Sequence, residues 1–376
     1  MRSIIRAACF FIGLTIFASA CKKAGIEPVD ASLPNEPVSA ANVNPPKPDL
    51  KNYNPDPQPD LTFQGYFTRS SGWNSGDGAQ SILLPDGRTV WLFGDSYVGD
   101  VTPDRKRIQN SKLAFINNAV MIQEGSNFTS RYGGTETKPK ALLIPAAPNH
   151  FYWTRHGFVD GKRLYITLME LYKTKINGKE ELIHHADRAA VISLPDLKFI
   201  KLINIPYRNK ISYGDRAFAD GGYNYIFGSW SDGWSTKLYM ARARFGRAEQ
   251  PWEFFAGGTN WIKDMDKAVP LNIAKHVTLP TVIKRNSRYY LITQRNFYSK
   301  DILMFRADKP EGPYTDEVKL YTTPGDIHTY LAFGHPQFTG NDNRLLIGYS
   351  LGGDIFKSYQ NVDICVPKFI RVTLPE

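Results

Sequence analysis

Asp77-Gly78-Ala79-Gln80-Ser81-Ile82-Leu83-Leu84, the turn Pro85-Asp86-Gly87-Arg88 and the run Thr89-Val90-Trp91-Leu92-Phe93-Gly94-Asp95 together spell one β-hairpin. Asp-Gly supplies the backbone freedom that a tight turn between antiparallel strands needs, and the flanking β-branched and aromatic residues suit a pleated surface. Four later segments repeat the arrangement. They are Trp153 to Glu170 around the turn Asp160-Gly161-Lys162, and Asp215 to Gly228 around Asp220-Gly221-Gly222. The others are Thr278 to Arg295 around Arg285-Asn286-Ser287, and His335 to Ser350 around Gly340-Asn341-Asp342-Asn343. A polar residue opens each hairpin, and small or polar residues close its second strand.

Hairpins of common length and turn position, the last four starting about 60 residues apart near Trp153, Asp215, His276 and His335, match the size of a four-stranded blade with its loops. The prediction is an all-β, five-bladed β-propeller over residues 61–376. Lys237 to Arg244, Asp301 to Ala307 and Lys368 to Thr373 read as further strands of the third, fourth and closing blades. A β-sandwich is the competing architecture, but it gives no reason for the hairpins to match. From residue 61 on, no long stretch has helical periodicity.

The chain has 376 residues and is 42% hydrophobic, enough to bury a sizeable core. Its 22 Phe and 20 Tyr against 6 Met favour strands over a helical bundle, and 3 Cys exclude a disulfide scaffold and any Cys-rich zinc module. The formal charge of +10 is spread along the chain rather than massed, which describes a slightly basic, solvated surface. No phosphate loop, nucleophile elbow or dinucleotide fingerprint is present. No cofactor and no metal-ligand set are legible, since His184-His185 has no partner at metal-ligand spacing and reads as part of a loop.

Residues 1–20 read as an export signal: Arg2 and Arg6 precede the apolar run Ala7 to Phe17, which is too short for a permanent span. The ending Ala18-Ser19-Ala20-Cys21 resembles the bacterial lipobox, and this resemblance implies cleavage before Cys21 and acylation of it. Residues 21–60 then form the lipidated cysteine and a disordered, Pro-rich tether, with folded sequence from Leu61. The expected molecule is an exported lipoprotein of the cell envelope, in the periplasm or at the outer-membrane surface. It is expected to be monomeric, membrane-bound through Cys21, and without a nucleic-acid partner.

In a propeller, starts of innermost strands and ends of the strands that follow open on one rim. Strand starts give Asp77, Trp153 to His156, Asp215, Arg216, His276 and His335. Second-strand ends give Asp95, Glu170, Trp230, Gln294, Arg295 and Ser350. Aromatic rings stack on sugar faces, polar groups bind hydroxyls, and glycoside cleavage needs one protonated and one ionised carboxyl. The candidate catalytic acids are Asp77, Asp95, Glu170 and Asp215. Candidate substrate-binding residues are Trp73, Trp153, His156, Arg216, Trp230, Arg295 and His335. Simpler roles compete: Asp86, Asp160, Asp220 and Asp342 suit turns, Asp215 an ion pair with Arg216, and His335 a channel lining.

The stretch Ser71-Gly72-Trp73-Asn74-Ser75-Gly76-Asp77-Gly78 through Leu92-Phe93-Gly94-Asp95-Ser96-Tyr97 resembles exported Bacteroidetes-type proteins with an uncharacterised five-bladed propeller domain. These are similar to the endo-D-arabinanase family and, more distantly, to arabinanase, xylosidase and fructosidase propellers. Lys309 to Tyr314 and Gly334 to Ser350 resemble their late blades. The resemblance implies that Asp77 is base or nucleophile and Asp95 a supporting or second catalytic acid. No Arg-Asp-Pro-like acid is present, so the proton donor falls to Glu170 or Asp215. The expected function is a glycoside hydrolase acting on a polysaccharide or oligosaccharide, a furanoside such as arabinan among the candidates. A surface glycan-binding lipoprotein without turnover and a partner-binding propeller are the alternatives.

Overall fold

The computed structural model describes residues 50 and 52–375, except 177, 233–234, 275–276, 326 and 353–356. The signal-peptide reading, Cys21, most of the tether and His276 therefore lie outside the described residues. Five antiparallel sheets follow in chain order. Blade I is Trp73–Leu83, Thr89–Val98, Ala119–Glu124 and Asn127–Arg131; blade II is His150–Asp160, Arg163–Ile176, Lys179–Ser193 and Phe199–Asn204. Blade III begins Ile211–Asp220, Tyr223–Ser231, Thr236–Arg244, and blade IV is Val277–Arg285, Arg288–Arg295, Asp301–Ala307 and Thr315–Thr322. Blade V is Thr329–His335, Arg344–Leu351 and Lys368–Thr373, completed by Gln58–Pro59 from the other end of the sequence. The first strands touch in a closed ring, each meeting the next and the fifth meeting the first, which makes the fold a five-bladed propeller.

The sequence dictates this through its second strands. Each is sandwiched between neighbouring blades and is apolar on both faces: Trp91 and Phe93 pack toward Leu346 and Phe369 of blade V, while Val90 and Leu92 pack toward Leu164 and Ile166 of blade II. The pattern repeats around the ring, with Tyr213 and Ile226 against Phe158, Phe227 against Leu291, and Ile292 against Ile347. Each fully buried Leu or Phe stabilises the packing by about 1.5–3 kcal/mol. Between blades, Asp160 accepts from the backbone of Gly246 and Ala248, and Asp220 accepts from Lys284 and Tyr289. These acids stand at the hairpin turns, as read, and also bind the next blade.

Folded structure begins earlier than Leu61. Gln58 and Pro59 pair with Arg371 and Ile370, Arg344 holds Asp56 at 2.7 Å, and Asp60 caps the helix Leu61–Gly65 through the amide of Phe63. Phe63 then enters the core between blades I and V. The described end of the proposed tether thus closes the ring, at odds with a tether running to residue 60.

Every blade carries a bulge where its first strand nears the axis. In blade I, Gly76 pairs with Ser96 and Gly78 with Phe93, leaving Asp77 opposite both Gly94 and Asp95. Equivalent irregularities fall between Thr154 and Gly157, Tyr213 and Arg216, Thr278 and Thr281, and Tyr330 and Phe333. Left-handed backbone accompanies them at Ala79 (φ 56°), Leu279 (φ 47°) and Leu331 (φ 56°). Bulges re-aim side chains, and here they decide which residues face the opening. The fifth strand also corrects its predicted start: it runs Thr329–His335, so His335 ends it, and Pro336–Phe338 is a 3-10 turn.

Candidate active site

A pocket of about 210 Å³ opens between blades I and V, lined by Asp77, Asp95, Tyr97, Tyr298, Tyr330 and Cys365 among others. The two acids come together through the blade I bulge. Asp77 Oδ1 occupies the space above Gly94, where an added Cβ would lie 2.6 Å from it, so only glycine permits this approach. Tyr330 donates to Asp77 Oδ2 at 3.1 Å, and the backbone amide of Asp95 also donates to this carboxyl. Asp95 Oδ1 accepts from Trp153 Nε1 at 2.7 Å and Asn117 Nδ2 at 2.9 Å.

These surroundings separate the two carboxyls electrically. Burial, reinforced by the negative charge of Asp95, pushes Asp77 up to about 7. Burial also raises Asp95, but hydrogen bonds from Asn117 and Trp153 and the field of Lys173 oppose it. Asp77 therefore keeps its proton up to about pH 7, far beyond an ordinary carboxyl, and the charge of Asp95 contributes to that shift. Burial raises the thiol of Cys365 as well, against the pull of Arg107, whose guanidinium lies 3.8 Å over the Tyr97 ring.

A second, larger cavity of about 890 Å³ runs across blades II to IV, lined by Arg155, His184, Tyr207, Ser212, Asp215, Thr278, Asn296 and Phe297 among others. Phe297 lines this groove and its neighbour Tyr298 lines the acid pocket; both are exposed, and both rings contact Tyr330. The groove floor is an ion-pair network. Arg155 bonds Asp215, Asp187 (3.2 Å), Ser212 (2.7 Å) and the carbonyl of Tyr213 (3.0 Å), and Ser212 donates to Asp187 at 2.6 Å.

The structure does not bring all the predicted site residues together. Asp77 and Asp95 share the pocket, and Trp153 supports it through its indole hydrogen bond to Asp95. Asp215 lines the groove, paired with Arg155 and away from the acid pocket. Glu170 lines neither cavity. Burial pushes its carboxyl up, but hydrogen bonds from Arg188 and His150 prevail and hold it below its ordinary value, the wrong direction for a proton donor. Trp73 is fully buried, its indole bound to Ser96, and offers no platform. His156, Arg216 and His335 are buried between the first strands. Burial, with Arg216 beside it, pushes His156 down to about 3, and burial lowers Arg216 to about 9. His335 bonds Ser81 at 2.6 Å. Half-buried Trp230 lies under Lys237, and Arg295 pairs with Glu317. Neither lines the pocket or the groove.

Tyr330, Asn117, Tyr298, Phe297 and Asp187, the partner of Arg155, are not among the site residues that the sequence points to. Tyr330 carried a signal: aligning the fifth hairpin on the apolar run Tyr330 to Phe333 places it opposite Ser350, as Gly76 stands opposite Ser96. Asn117 and Phe297-Tyr298 lie in connections between strands, where no periodicity points to them.

The family described as "Domain of unknown function (DUF5005)" matches residues 60–374. No curated protein matches the chain. Among solved structures, a "putative hydrolase" from Bacteroides ovatus has a TM-score of 0.71 at 23% identity, over 84% of this chain and 90% of that one. A Bombyx mori GH32 beta-fructofuranosidase in complex with sucrose has a TM-score of 0.46 at 11% identity, over 81% and 60%. A GH43 protein from Bacillus licheniformis has a TM-score of 0.41 at 14% identity, over 75% and 49%. At these identities the similarity concerns the fold.

Proposed function

The chain belongs to the DUF5005 family, a domain of unknown function, and from that premise we propose that it hydrolyses a glycan at the pocket shared by Asp77 and Asp95. The observation that carries the reading is one pocket holding two acids, of which Asp77 is raised to about 7 by burial and by the charge of Asp95. Asp77, holding its proton at neutral pH, protonates the departing glycosidic oxygen. Asp95, ionised and steadied by Trp153 and Asn117, serves as base or nucleophile. The resemblance implies base or nucleophile for Asp77, a supporting or second acid in Asp95 and a proton donor in Glu170 or Asp215; what supports proton donation by Asp77 instead is its elevation to about 7. Tyr298 and Phe297 offer exposed rings for sugar faces, and the groove beside them has room for neighbouring residues of a polysaccharide. A furanoside polymer such as arabinan is the proposed substrate class, and export with acylation at Cys21 the proposed placement.

Incubation with plant, fungal and mycobacterial polysaccharides, followed by chromatography of released sugars, tests this. Oligosaccharide release from at least one polymer is expected. A general acid must be protonated to act, so the rate is expected to fall as pH rises through about 7, where Asp77 loses its proton. Binding without product on prolonged incubation would instead identify a glycan-binding protein and overturn the proposal.

A further inference from the structure

Away from the acid pocket, blade II gathers two imidazoles and a carboxylate. His150 opens the first strand, Glu170 lies on the second, and His185 lies on the third. The register explains their meeting. His150 pairs with Tyr172, two residues from Glu170 and so on the same face of the sheet. On the other side Glu170 pairs with Ala186 and Leu171 with His184, leaving His185 as the extra residue of a bulge. That bulge turns the His185 ring toward the other two. The donor atoms of His150, Glu170 and His185 all lie within 4.8 Å of one another, with His150 Nδ1 2.8 Å from Glu170 Oε1.

We propose that this triad is a binding site for a divalent transition-metal ion of the zinc class. Two imidazole nitrogens with one carboxylate oxygen are a donor set that such ions favour over calcium or magnesium, which prefer all-oxygen shells. The surroundings are those of a supported site. Arg188 Nε holds Glu170 Oε2 at 2.9 Å, leaving Oε1 to face the imidazoles. Tyr172 stacks on His150 at 5.2 Å and meets His185 edge-on, fixing both ring planes. Outer-sphere partners of this kind orient metal ligands. His185 is exposed, so the ion has a route in from solvent. The Arg188 guanidinium opposes a second positive charge and keeps the affinity below that of a site without it. Bound metal would tie the bulged third strand to the start of the first, three residues from Trp153, the partner of Asp95. This accounts for a buried Glu170 and for His185, which the hydrolytic chemistry does not use.

The test is zinc binding by the untagged, chelator-stripped full chain, followed by calorimetry and by the shift in thermal unfolding. One equivalent of zinc bound by the wild type, with a raised melting temperature, is expected. His185→Ala, at an exposed position, is expected to keep the metal-free melting temperature and to weaken binding at this site by at least about 100-fold. Glu170→Gln is expected to weaken it similarly. Absence of zinc binding by the wild type, or unchanged binding in His185→Ala, would overturn the assignment. Neither readout depends on hydrolysis, so the result stands apart from the fate of the proposed activity.

Discussion

Asp77→Asn is expected to lower the rate of glycan hydrolysis by about 10³-fold while the propeller stays folded. The amide has nearly the same shape: its one carbonyl oxygen still accepts, and its NH2 can donate to the Tyr330 hydroxyl, which accepts as well as donates, so the pocket keeps its outline. What it loses is the proton that can be given up. The same change carries an independent thermodynamic signature. Asp77 is raised from 3.8 to about 7, so the fold favours its neutral form. Its contribution to stability is complete below the unfolded value and is lost as pH rises through about 7. Asparagine never ionises and escapes that loss. Above pH 7 the variant is therefore expected to be more stable than the wild type, by an amount on the order of 1 to a few kcal/mol, with the difference vanishing near pH 4. A variant that is inactive and also less stable at pH 8 would mean that the pocket had collapsed. Retention of more than a tenth of the activity would remove Asp77 from the chemistry.

Arg155→Met is expected to cost about 3–5 kcal/mol of folding stability, the largest loss for a single residue in the groove. Its guanidinium stands among Asp187 and Asp215, whose side chains are nearly or wholly excluded from solvent. Burial alone would lower its ionisation, yet the two carboxylates overcome that and raise it. Removing the cation leaves two buried negative charges facing each other, with Ser212 and His184 as the remaining donors to Asp187. The exposed pair Lys201–Glu249 is the control, and Lys201→Met should change stability by less than about 1 kcal/mol. Urea unfolding of both variants measures the difference. A loss below 1 kcal/mol for Arg155→Met would show that the groove floor does not rely on this network.

The propeller was legible because its second strands are sandwiched between blades, and runs such as Leu345-Leu346-Ile347 or Tyr289-Tyr290-Leu291-Ile292 are apolar on both faces in consequence. The Asp77–Asp95 placement was legible for a related reason, since both lie in the one hairpin with a clear turn. Beyond it the reading lost its footing at the bulges. An alternating pattern assigns sides by counting residues, and one extra residue between Thr154 and Gly157 or between Tyr330 and Phe333, and two between Tyr213 and Arg216, change which side chains face the opening. His156 and Arg216 consequently face inward and Trp73 is enclosed, while Tyr330 reaches the acids. His184 and His185 read as loop residues because their strand is polar and exposed on one side. Their partners, Asp187 for one and Glu170 with His150 for the other, depend on the fold of blade II.

Hydrolysis at this pocket depends on two carboxyls that stand close enough to divide the proton between them. Carbon-13 NMR of labelled aspartate side chains, followed through a pH titration of the wild type and of Asp95→Asn, measures that directly. The expected result is a midpoint near 7 for Asp77 that moves lower once the neighbouring charge is removed. A midpoint near 4 for Asp77 in both proteins would contradict it.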